Sequence, residues 1–217
     1  CIVGVCILST LCVVVPARRA PAQPKKTLAF PDGTWQGTTT SAGGTVSPVY
    51  RCSPDSTRVV YVADQQTVGK RELYSVPLAG GGAMKLNDAL PFPGGVSSPA
   101  ISPDGAHVVY LANRDTADVT ELYSVPLAGG AVTKLNPSLP TGRNVAALAI
   151  APNSARVVYR ADQNHNEVQE LFSVPLAGGT SDHLNDIPVS GGDVLDFTIA
   201  PLGGFVFYRG DILTDGR

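Results

Sequence analysis

The chain has 217 residues, 43% of them hydrophobic and 16% charged, a length that suits one large domain or two small ones. Its formal net charge of −2 and its isoelectric point near 5.9 give no electrostatic reason to bind nucleic acid or an anionic membrane, so we expect no nucleic-acid partner. The 23 glycines and 18 prolines suit many short strands joined by tight turns.

Residues 1–22 are predicted to be an incomplete signal peptide. The apolar run 2–15 has fourteen residues, which is short for a membrane span of about twenty but fits the core of a secretory signal. Ala20-Pro21-Ala22 supplies the small-x-small pattern of a cleavage site, although no Met or basic segment precedes the run and Arg18 and Arg19 follow it. A signal anchor is the alternative. We expect export to the periplasm, the cell surface or the medium, with membrane contact only through this leader if it stays attached.

Residues 23–45, rich in Pro, Lys, Gly, Thr and Ser, are predicted to be a linker. Within the linker, Leu28-Ala29-Phe30 is a short apolar stretch that favours one strand. In a complete ring of blades, this strand is a candidate for closing the ring.

Three of the four cysteines, Cys1, Cys6 and Cys12, lie in the leader, so the folded part cannot form an intramolecular disulfide. Cys52 stands where later copies of the repeat have Ile, which predicts a small buried hydrophobic side chain. A reactive nucleophile is the alternative, and no partner base can be placed beside it.

The remainder of the chain, residues 46–217, repeats itself every 49 residues. The decapeptide ELYSVPLAGG begins at Glu72 and at Glu121 and returns as ELFSVPLAGG at Glu170. A turn proline and a tyrosine recur four times at the same spacing, at Pro54, Pro103, Pro152 and Pro201 and at Tyr61, Tyr110, Tyr159 and Tyr208. A fixed period of this length is typical of repeat architectures. The predicted units are 46–94, 95–143, 144–192 and a partial 193–217.

Each unit is predicted to contain four short strands. The first ends at the position of Ile101, and a turn of the type SPDG follows it. The second, VVYLAN at 108–113, is nearly continuously apolar, which indicates burial on both faces. The third is ELYSVPL, ended by Ala-Gly-Gly, and the fourth comprises MKLN at 84–87, VTKLN at 132–136 or DHLN at 182–185.

Four antiparallel strands in about fifty residues, with both sheet faces apolar, correspond to one blade of a β-propeller. The predicted fold is therefore all-β: a propeller with three complete blades and part of a fourth. A solenoid of stacked hairpins is the alternative.

The pattern S-P-D-G-x-x-V-V-Y-x-A-D followed by E-L-Y-x-V-P-L-x-G-G resembles the TolB-type, WD40-like (PD40-type) propeller repeat over residues 46–209. The resemblance implies a propeller that typically has six blades. It also implies several possible roles, because such blades serve in periplasmic translocation proteins, in cell-surface proteins, in a few lyases and before prolyl-oligopeptidase-type hydrolase domains. The fold cannot choose among these roles.

We expect the sequence to be part of a longer protein. Three and a half blades cannot form a ring, and each open end exposes the apolar face of a blade. Closure by a partner chain is the alternative.

The segments that differ between copies are predicted to share one face of the propeller. They are the loops between the second and third strands (65–71, 114–120 and 163–169) and the connections between blades (88–96, 137–145 and 186–194). Loops on a rigid scaffold are where binding residues usually lie, so we expect any ligand or partner to meet this face.

Candidate metal ligands are weak. Asp162, Asn164 and Asn166 have the spacing of the first three ligands of a calcium loop, but Gly is absent from the sixth position and Ser173 stands at the twelfth. The histidines, His107, His165 and His183, fall at three different places in the repeat, which favours exposed or strand-edge positions over a ring of imidazoles. No metal or cofactor is predicted.

Candidate catalytic residues are equally weak. The glutamates that begin the third strands, Glu72, Glu121 and Glu170, suggest a carboxylate ring, but a role in ordering the adjacent loop is favoured. Lys85 and Lys134, matched by His183, are interpreted as a solvated face of the fourth strand. Trp35 and Phe92 are interpreted as partly buried against the blades, with a role in contacting a ligand as the alternative. No G-x-S-x-G motif occurs, and no residue is assigned as catalytic.

The sequence therefore predicts a non-catalytic, exported propeller that binds a protein or a cell-envelope component through its variable loops. The alternative is the accessory propeller of a prolyl-oligopeptidase-type serine peptidase whose catalytic domain lies beyond residue 217.

Overall fold

The computed structural model describes residues 11–12, 28–29, 46–91, 93–185 and 192–210. Near the N-terminus, β1 (Leu11–Cys12) pairs antiparallel with β2 (Leu28–Ala29), so the strand predicted around Leu28 is present and is joined to the leader. Most of the predicted signal peptide and linker, together with Trp35 and Phe92, lies outside the described residues. No helix in the described ranges is long and apolar enough to cross a membrane.

The repeat folds into antiparallel sheets whose strands lie side by side in chain order. The first sheet contains β3 (Val46–Cys52), β4 (Arg58–Ala63), β5 (Glu72–Pro77) and β6 (Met84–Lys85). The second contains β7 (Val96–Ile101), β8 (His107–Ala112), β9 (Glu121–Pro126) and β10 (Thr133–Lys134). The third contains β11 (Val145–Ile150), β12 (Arg156–Ala161), β13 (Glu170–Pro175) and β14 (Asp182–His183). In the fourth, β15 (Val194–Ile199) pairs with β16 (Val206–Gly210).

The prediction of three complete four-stranded units and part of a fourth is thus confirmed. The register is the same in each complete unit: Tyr61 is opposite Tyr74, and Tyr110 is opposite Tyr123. These cross-strand pairs stack, with ring centroids 5.6 Å apart in the first sheet and 5.7 Å apart in the second. Such aromatic pairs stabilise adjacent strands beyond the burial of their area.

The fourth strands are shorter than predicted, with two residues each instead of four or five. The predicted strands ran on to a Leu-Asn pair at 86–87, 135–136 and 184–185. In the structure the side chain of each asparagine folds back to the third strand, where its Oδ1 accepts a backbone N–H that a longer fourth strand would otherwise pair.

Apolar residues from neighbouring sheets pack face to face. Val60, Val62 and Leu73 of the first sheet form one cluster with Tyr110 and Tyr123 of the second. Equivalent clusters join the second sheet to the third and the third to the fourth. The second strand is buried on both faces as predicted, because its two rows of side chains enter two different clusters. Val108 and Val109, which are adjacent in sequence, are both completely buried.

The prediction that Cys52 is buried is wrong, because its side chain is exposed. The equivalent residues Ile101 and Ile150 are packed against the clusters shared with the preceding sheet. Cys52 lies on the face of the first sheet that points away from the second, and it belongs to none of the apolar clusters in the described residues. Equivalent positions of the repeat are therefore not equally buried in every sheet.

Candidate functional site

The variable segments lie at one end of the sheets, where second strands turn into third strands and fourth strands lead to the next sheet. We call this surface the variable face. It comprises the loops 64–71, 113–120 and 162–169 and the connections 86–95, 135–144 and 184–193, and the structure describes all of it except residues 92 and 186–191.

The three loops of the variable face share one backbone turn although their sequences differ. The carbonyl of Thr67 accepts a hydrogen bond from the N–H of Lys70 at 3.0 Å, and Thr116 and His165 make the same bond three residues onward, each at 3.3 Å. The third residue of each turn has a positive φ: 79° at Gly69, 62° at Asp118 and 60° at Glu167. Different side chains are therefore displayed on the same backbone.

Each loop is also fastened to the sheet that follows it. The carbonyls of Arg71, Thr120 and Gln169 accept hydrogen bonds of 2.8–2.9 Å from the backbone N–H groups of Val96, Val145 and Val194, the first residues of the next sheets. In the later copies a side chain strengthens this joint. Asn144 Oδ1 accepts the N–H of Thr120 at 2.7 Å, and Asp193 Oδ1 accepts that of Gln169 at 2.6 Å.

A buried asparagine supports each connection from inside. The Oδ1 atoms of Asn87, Asn136 and Asn185 accept hydrogen bonds of 2.6–2.7 Å from the N–H groups of Leu73, Leu122 and Leu171. The sequence interpretation missed this role, although the Leu-Asn pair recurs at the 49-residue period. Because a buried amide needs a partner, the recurrence of a polar residue after an apolar one was the available signal.

A buried glutamate organises the second sheet below its connection. The side chain of Glu121 is only 2% exposed, and its carboxylate lies 2.6 Å from Nζ of Lys134. It also accepts hydrogen bonds from the hydroxyl of Tyr123 at 3.0 Å and from the backbone N–H of Leu139 at 3.1 Å. The last bond reaches into the connection to the next sheet, whereas the sequence predicted a role in ordering the loop before the third strand, and that role stays a prediction.

The first sheet repeats this cluster with Glu72. Its carboxylate lies 3.0 Å from Nζ of Lys85 and accepts a 3.1 Å hydrogen bond from the hydroxyl of Tyr74. The interpretation of Lys85 and Lys134 as a solvated face is therefore wrong. Both ammonium groups are drawn back to a carboxylate that is itself buried, and a buried charge requires such a partner.

The third sheet keeps the glutamate but changes its partners. The side chain of Glu170 is 0% exposed, and its two oxygens lie near two imidazoles: Oε2 is 3.3 Å from Nδ1 of His165, and Oε1 is 3.2 Å from Nε2 of His183. The aromatic partner here is Phe172, which has no hydroxyl and stacks on the imidazole of His183 with centroids 5.1 Å apart. The sequence placed these histidines at unrelated positions, whereas the structure brings them together.

Two tyrosines of the second strands reach the loops of the variable face with their hydroxyl groups. The hydroxyls of Tyr61 and Tyr159 donate to the amide oxygens of Gln65 and Gln163, each at 2.7 Å. Burial raises the pKa of the Tyr159 phenol to about 12 and raises that of Tyr61 as well. These phenols are therefore neutral throughout the physiological range and are unsuited to act as bases there.

In the second sheet, Arg114 replaces the glutamine and changes the pattern. Its guanidinium pairs with Asp88 of the preceding connection at 2.8 Å and lies 5.3 Å from the ring centroid of Tyr123. The hydroxyl of Tyr110 is left buried without a hydrogen-bond partner. The variable face is thus electrostatically different at each copy while its backbone stays the same.

The residues with calcium-loop spacing do not converge. Asp162 is buried, and its Oδ1 accepts a 2.5 Å hydrogen bond from the N–H of Asn144, whereas Asn164 and Asn166 are exposed. His107 lies at the opposite end of its sheet, at the start of β8. As the side chains stand, no group of three His, Cys, Asp or Glu residues in the described ranges is arranged to hold a metal ion.

The turns at the opposite end of the sheets are closed by their own side chains. Ser102 Oγ donates to Asp104 Oδ1 at 2.5 Å, and Asp104 Oδ1 accepts the N–H of Ala106 at 3.0 Å. The bond from Ser102 is the main reason that the pKa of Asp104 is lowered from its ordinary value. Ser53 does the same for Asp55. The Ser and Asp side chains of these turns are therefore used to hold the turns themselves.

Comparison with solved structures identifies the fold of these sheets. No protein-family model and no curated protein sequence matches the chain. Among solved structures, a puromycin hydrolase aligns with a TM-score of 0.60 at 19% identity, covering 93% of this chain and 32% of its own. A puromycin-hydrolyzing peptidase of Mycobacterium tuberculosis aligns with a TM-score of 0.57 at 17% identity, covering 78% of this chain and 28% of its own. An oligogalacturonate lyase in complex with manganese aligns with a TM-score of 0.57 at 13% identity, covering 76% of this chain and 47% of its own.

The sheets are blades of a propeller-type fold. At these identities the likeness shows the fold alone, and the chain spans less than half of the length of each of these proteins. The finer resemblance to the TolB-type repeat stays a prediction that depends on the sequence motif.

Proposed function

We propose that this chain is a non-catalytic propeller that binds a protein or a cell-envelope component through the variable face. The observation that carries the proposal is the shared turn of the three loops: one rigid backbone presents a different set of side chains at each blade. A rigid scaffold with varied loops lowers the ordering cost of binding and allows each blade to contribute a distinct contact.

We interpret the recurring polar groups of this face as structural. The buried asparagines, Glu72 and Glu121, and the hydroxyls of Tyr61 and Tyr159 all bond to neighbouring groups of the protein. The side chains left for a partner are the exposed residues at the loop tips. Val68, Ala117 and Asn166 occupy equivalent tip positions and are all exposed.

Site-specific photocrosslinking tests the proposal and has a matched control within the chain. A photoreactive amino acid is placed at Val68, Ala117 or Asn166, and in control proteins at the equivalent exposed positions Thr57, Ala106 or Ala155 of the opposite turns. Incubation with envelope extract of the source organism should give one defined crosslinked species from the variable face and none from the controls. Equal crosslinking from both ends, or crosslinking only from the controls, contradicts the proposal.

A second candidate function is the accessory propeller of a serine peptidase, and the structural comparisons favour it. Two of the structures that resemble this chain carry the names puromycin hydrolase and puromycin-hydrolyzing peptidase, and this chain matches about a third of each. In that case the nucleophile belongs to another domain, and the variable face or the channel between blades screens substrates.

Puromycin hydrolysis by the complete gene product distinguishes the two candidates. Release of the free amino acid by the complete protein, but not by this chain alone, supports the accessory propeller. A complete protein that forms crosslinks through the variable face and leaves puromycin intact supports the binding propeller. Retention of a reporter in the cytoplasm when it is fused after residue 22 would contradict export.

A further inference from the structure

The cluster around the buried glutamate changes at three positions together in the third blade. His183 replaces the lysine of the other two blades, Phe172 replaces their tyrosine, and His165 replaces their threonine. The equivalent residues are Lys85, Tyr74 and Thr67 in the first blade and Lys134, Tyr123 and Thr116 in the second. The glutamate itself is retained in all three.

These replacements change the charge of the cluster. In the first two blades a lysine lies 3.0 or 2.6 Å from the carboxylate, and the glutamate and the lysine together are neutral throughout the physiological range. In the third blade the side chain of Glu170 is 0% exposed and lies between two imidazoles, which carry a charge only when they are protonated. Without a proton this cluster holds one buried negative charge and no cation, which is costly.

The contact of Glu170 with His183 suits an ion pair better than a neutral hydrogen bond. Nε2 of His183 lies 3.2 Å from Oε1, and yet Oε1 is buried and accepts no hydrogen bond. A contact without hydrogen-bond alignment attracts the carboxylate only if the imidazole is charged. The imidazole of His183 is held in place by its stacking on Phe172, and Nδ1 of His165 already lies 3.3 Å from Oε2. A proton can therefore enter the cluster without any movement of these side chains.

The other charged side chains of the surrounding elements are engaged elsewhere or lie in solvent. Arg156 pairs with Asp182, Arg160 donates to the carbonyls of Val194 and Leu195, Asp162 and Asp193 accept backbone N–H groups, and Glu167 is exposed. The phenol of Tyr159 is neutral, because burial raises its pKa to about 12. Within the part of the chain that the structure describes, the groups at ion-pair distance from Glu170 are thus the two imidazoles.

We propose that the third blade makes the variable face sensitive to pH: uptake of one proton by His165, Glu170 and His183 together fastens the loop 162–169 and β14 to β13. The proton belongs to the cluster as a whole, since it neutralises the cluster on either imidazole or on the carboxylate. It is bound more tightly by the folded chain than by the unfolded chain, because only the folded chain holds a buried negative charge beside the imidazoles. The stabilisation is therefore present at low pH and is lost as the pH rises through the range in which histidine loses its proton.

The lysines of the first two blades give the same stabilisation at every physiological pH. One blade of the variable face would therefore loosen on a change of pH to which the other two do not respond. The consequence for binding rests on the proposed function: Asn166, at the tip of this loop, is presented by an ordered loop in mildly acidic conditions and by a looser loop in alkaline conditions.

Thermal denaturation at about pH 5.5 and about pH 8 tests the proposal on the complete chain, with the double variant His165→Thr and His183→Lys for comparison. The variant introduces residues that the first two blades already carry, at side chains that are 52% and 28% exposed, so it should fold. Groups outside the cluster titrate alike in both proteins and cancel. On passing from the higher to the lower pH, the Tm of wild type should rise by roughly 2–4 °C relative to the variant. His107→Asn, which leaves the cluster intact, should behave as wild type does.

Hydrogen exchange supplies a local readout with a matched control inside the chain. The N–H of Leu184 donates to the carbonyl of Leu171 at 2.8 Å, and the N–H of Leu135 makes the equivalent bond to Leu122, also at 2.8 Å, beside a glutamate that has its lysine. The protection factor of Leu184 divided by that of Leu135 should be at least about threefold larger at the lower pH. The proposal is overturned if this ratio does not change, or if the Tm values of wild type and the double variant move in parallel.

Neither measurement needs a partner, so their outcome is independent of the proposed function. Photocrosslinking from Asn166 and from Val68 at the same two pH values then joins the two. Crosslinks from Asn166 should weaken at the higher pH relative to those from Val68, and equal dependence at both positions contradicts a regulation of binding. A lack of crosslinks at both pH values contradicts the proposed function and leaves the proton uptake to be decided by the Tm and the exchange ratio.

Discussion

Replacing Glu121 by glutamine should destabilise the chain strongly, because the carboxylate is buried and carries three contacts. The variant keeps the shape of the side chain but loses the charge that faces Lys134 at 2.6 Å. The hydroxyl of Tyr123 donates to Oε2 of Glu121 and the N–H of Leu139 donates to Oε1, so in the glutamine variant one of these donors faces the amide NH₂, which is itself a donor.

The expected loss follows from the burial of each partner. Removing one member of a buried ion pair costs about 3–5 kcal/mol, because the other charge is left without compensation. Here Lys134 is 19% exposed and keeps Asp115 at 3.1 Å, which reduces the penalty. We therefore expect a loss of about 2–3 kcal/mol in the free energy of unfolding, equivalent to a fall in Tm of roughly 5–10 °C.

Urea denaturation followed by circular dichroism measures this loss, with Glu167→Gln as the matched control. Glu167 undergoes the same chemical change at an exposed position and should change stability by less than about 0.5 kcal/mol. The double variant Glu121→Leu with Lys134→Met removes both charges but leaves the Tyr123 hydroxyl and the Leu139 N–H without their acceptor, so it should not recover the stability of wild type. If Glu121→Gln is as stable as Glu167→Gln, the carboxylate does not support this blade and the reasoning fails.

Three further changes test other parts of the structure. Gly69→Ala should lower the free energy of unfolding by about 1 kcal/mol, because a φ of 79° strains alanine even though the added Cβ meets no atom. Gly82→Ala is the control: its Cβ also meets no atom and its φ is not positive, so this variant should be neutral or slightly stabilising. Urea denaturation measures both. Ser102→Ala should raise the pKa of Asp104 towards its ordinary value of 3.8, as measured by a carboxyl NMR titration. A carboxyl group whose pKa is lower in the folded than in the unfolded chain stabilises the fold at high pH, and this stabilisation is lost as the pH falls through the pKa of the folded state. The variant should therefore lose less stability than wild type below about pH 4. Phe207 of β16 is 62% exposed, so we expect the chain to self-associate through this side of the fourth sheet. Phe207→Ser should then reduce self-association in sedimentation experiments without lowering the Tm, and an unchanged sedimentation profile would contradict this expectation.

The repeat predicted the strands well because both of its signals are local. Apolar runs and turn residues determine where a strand begins and ends, and a period of 49 residues places the same unit again. The burial of the second strand on both faces also followed, since a run such as Val108–Tyr110 leaves no polar face.

The error at Lys85 and Lys134 has a different origin. Lys85 pairs with Tyr74 across the strands, and Glu72 is two residues before that tyrosine, so the lysine and the glutamate are diagonal neighbours on one face. Diagonal neighbours are within reach of long side chains, but only a known register reveals them. The sequence alone supplied the residues and the period without the pairing that joins them.

The exposure of Cys52 could not be inferred from its position in the repeat, for a related reason. A side chain in a stack of sheets is covered by the neighbouring sheet, not by its own strand, so equivalent positions differ when their neighbours differ. Ile101 and Ile150 have such a neighbour in the described residues, whereas Cys52 lies on the outer face of the first blade.

Recurrence within the chain separates structural residues from candidates for function. The asparagines recur because each satisfies a buried hydrogen bond of the blade, and exchanging one would leave a backbone N–H without a partner. Side chains at the loop tips vary because the backbone does not depend on them. The histidines of the third blade fit neither class: they replace recurring residues at a buried carboxylate, where variation is expensive, and they do so together with the loss of the tyrosine hydroxyl. The coordinated change therefore shows that a blade can surround its buried glutamate in a second way, with two imidazoles within 3.3 Å of the carboxylate in place of the lysine and the tyrosine hydroxyl.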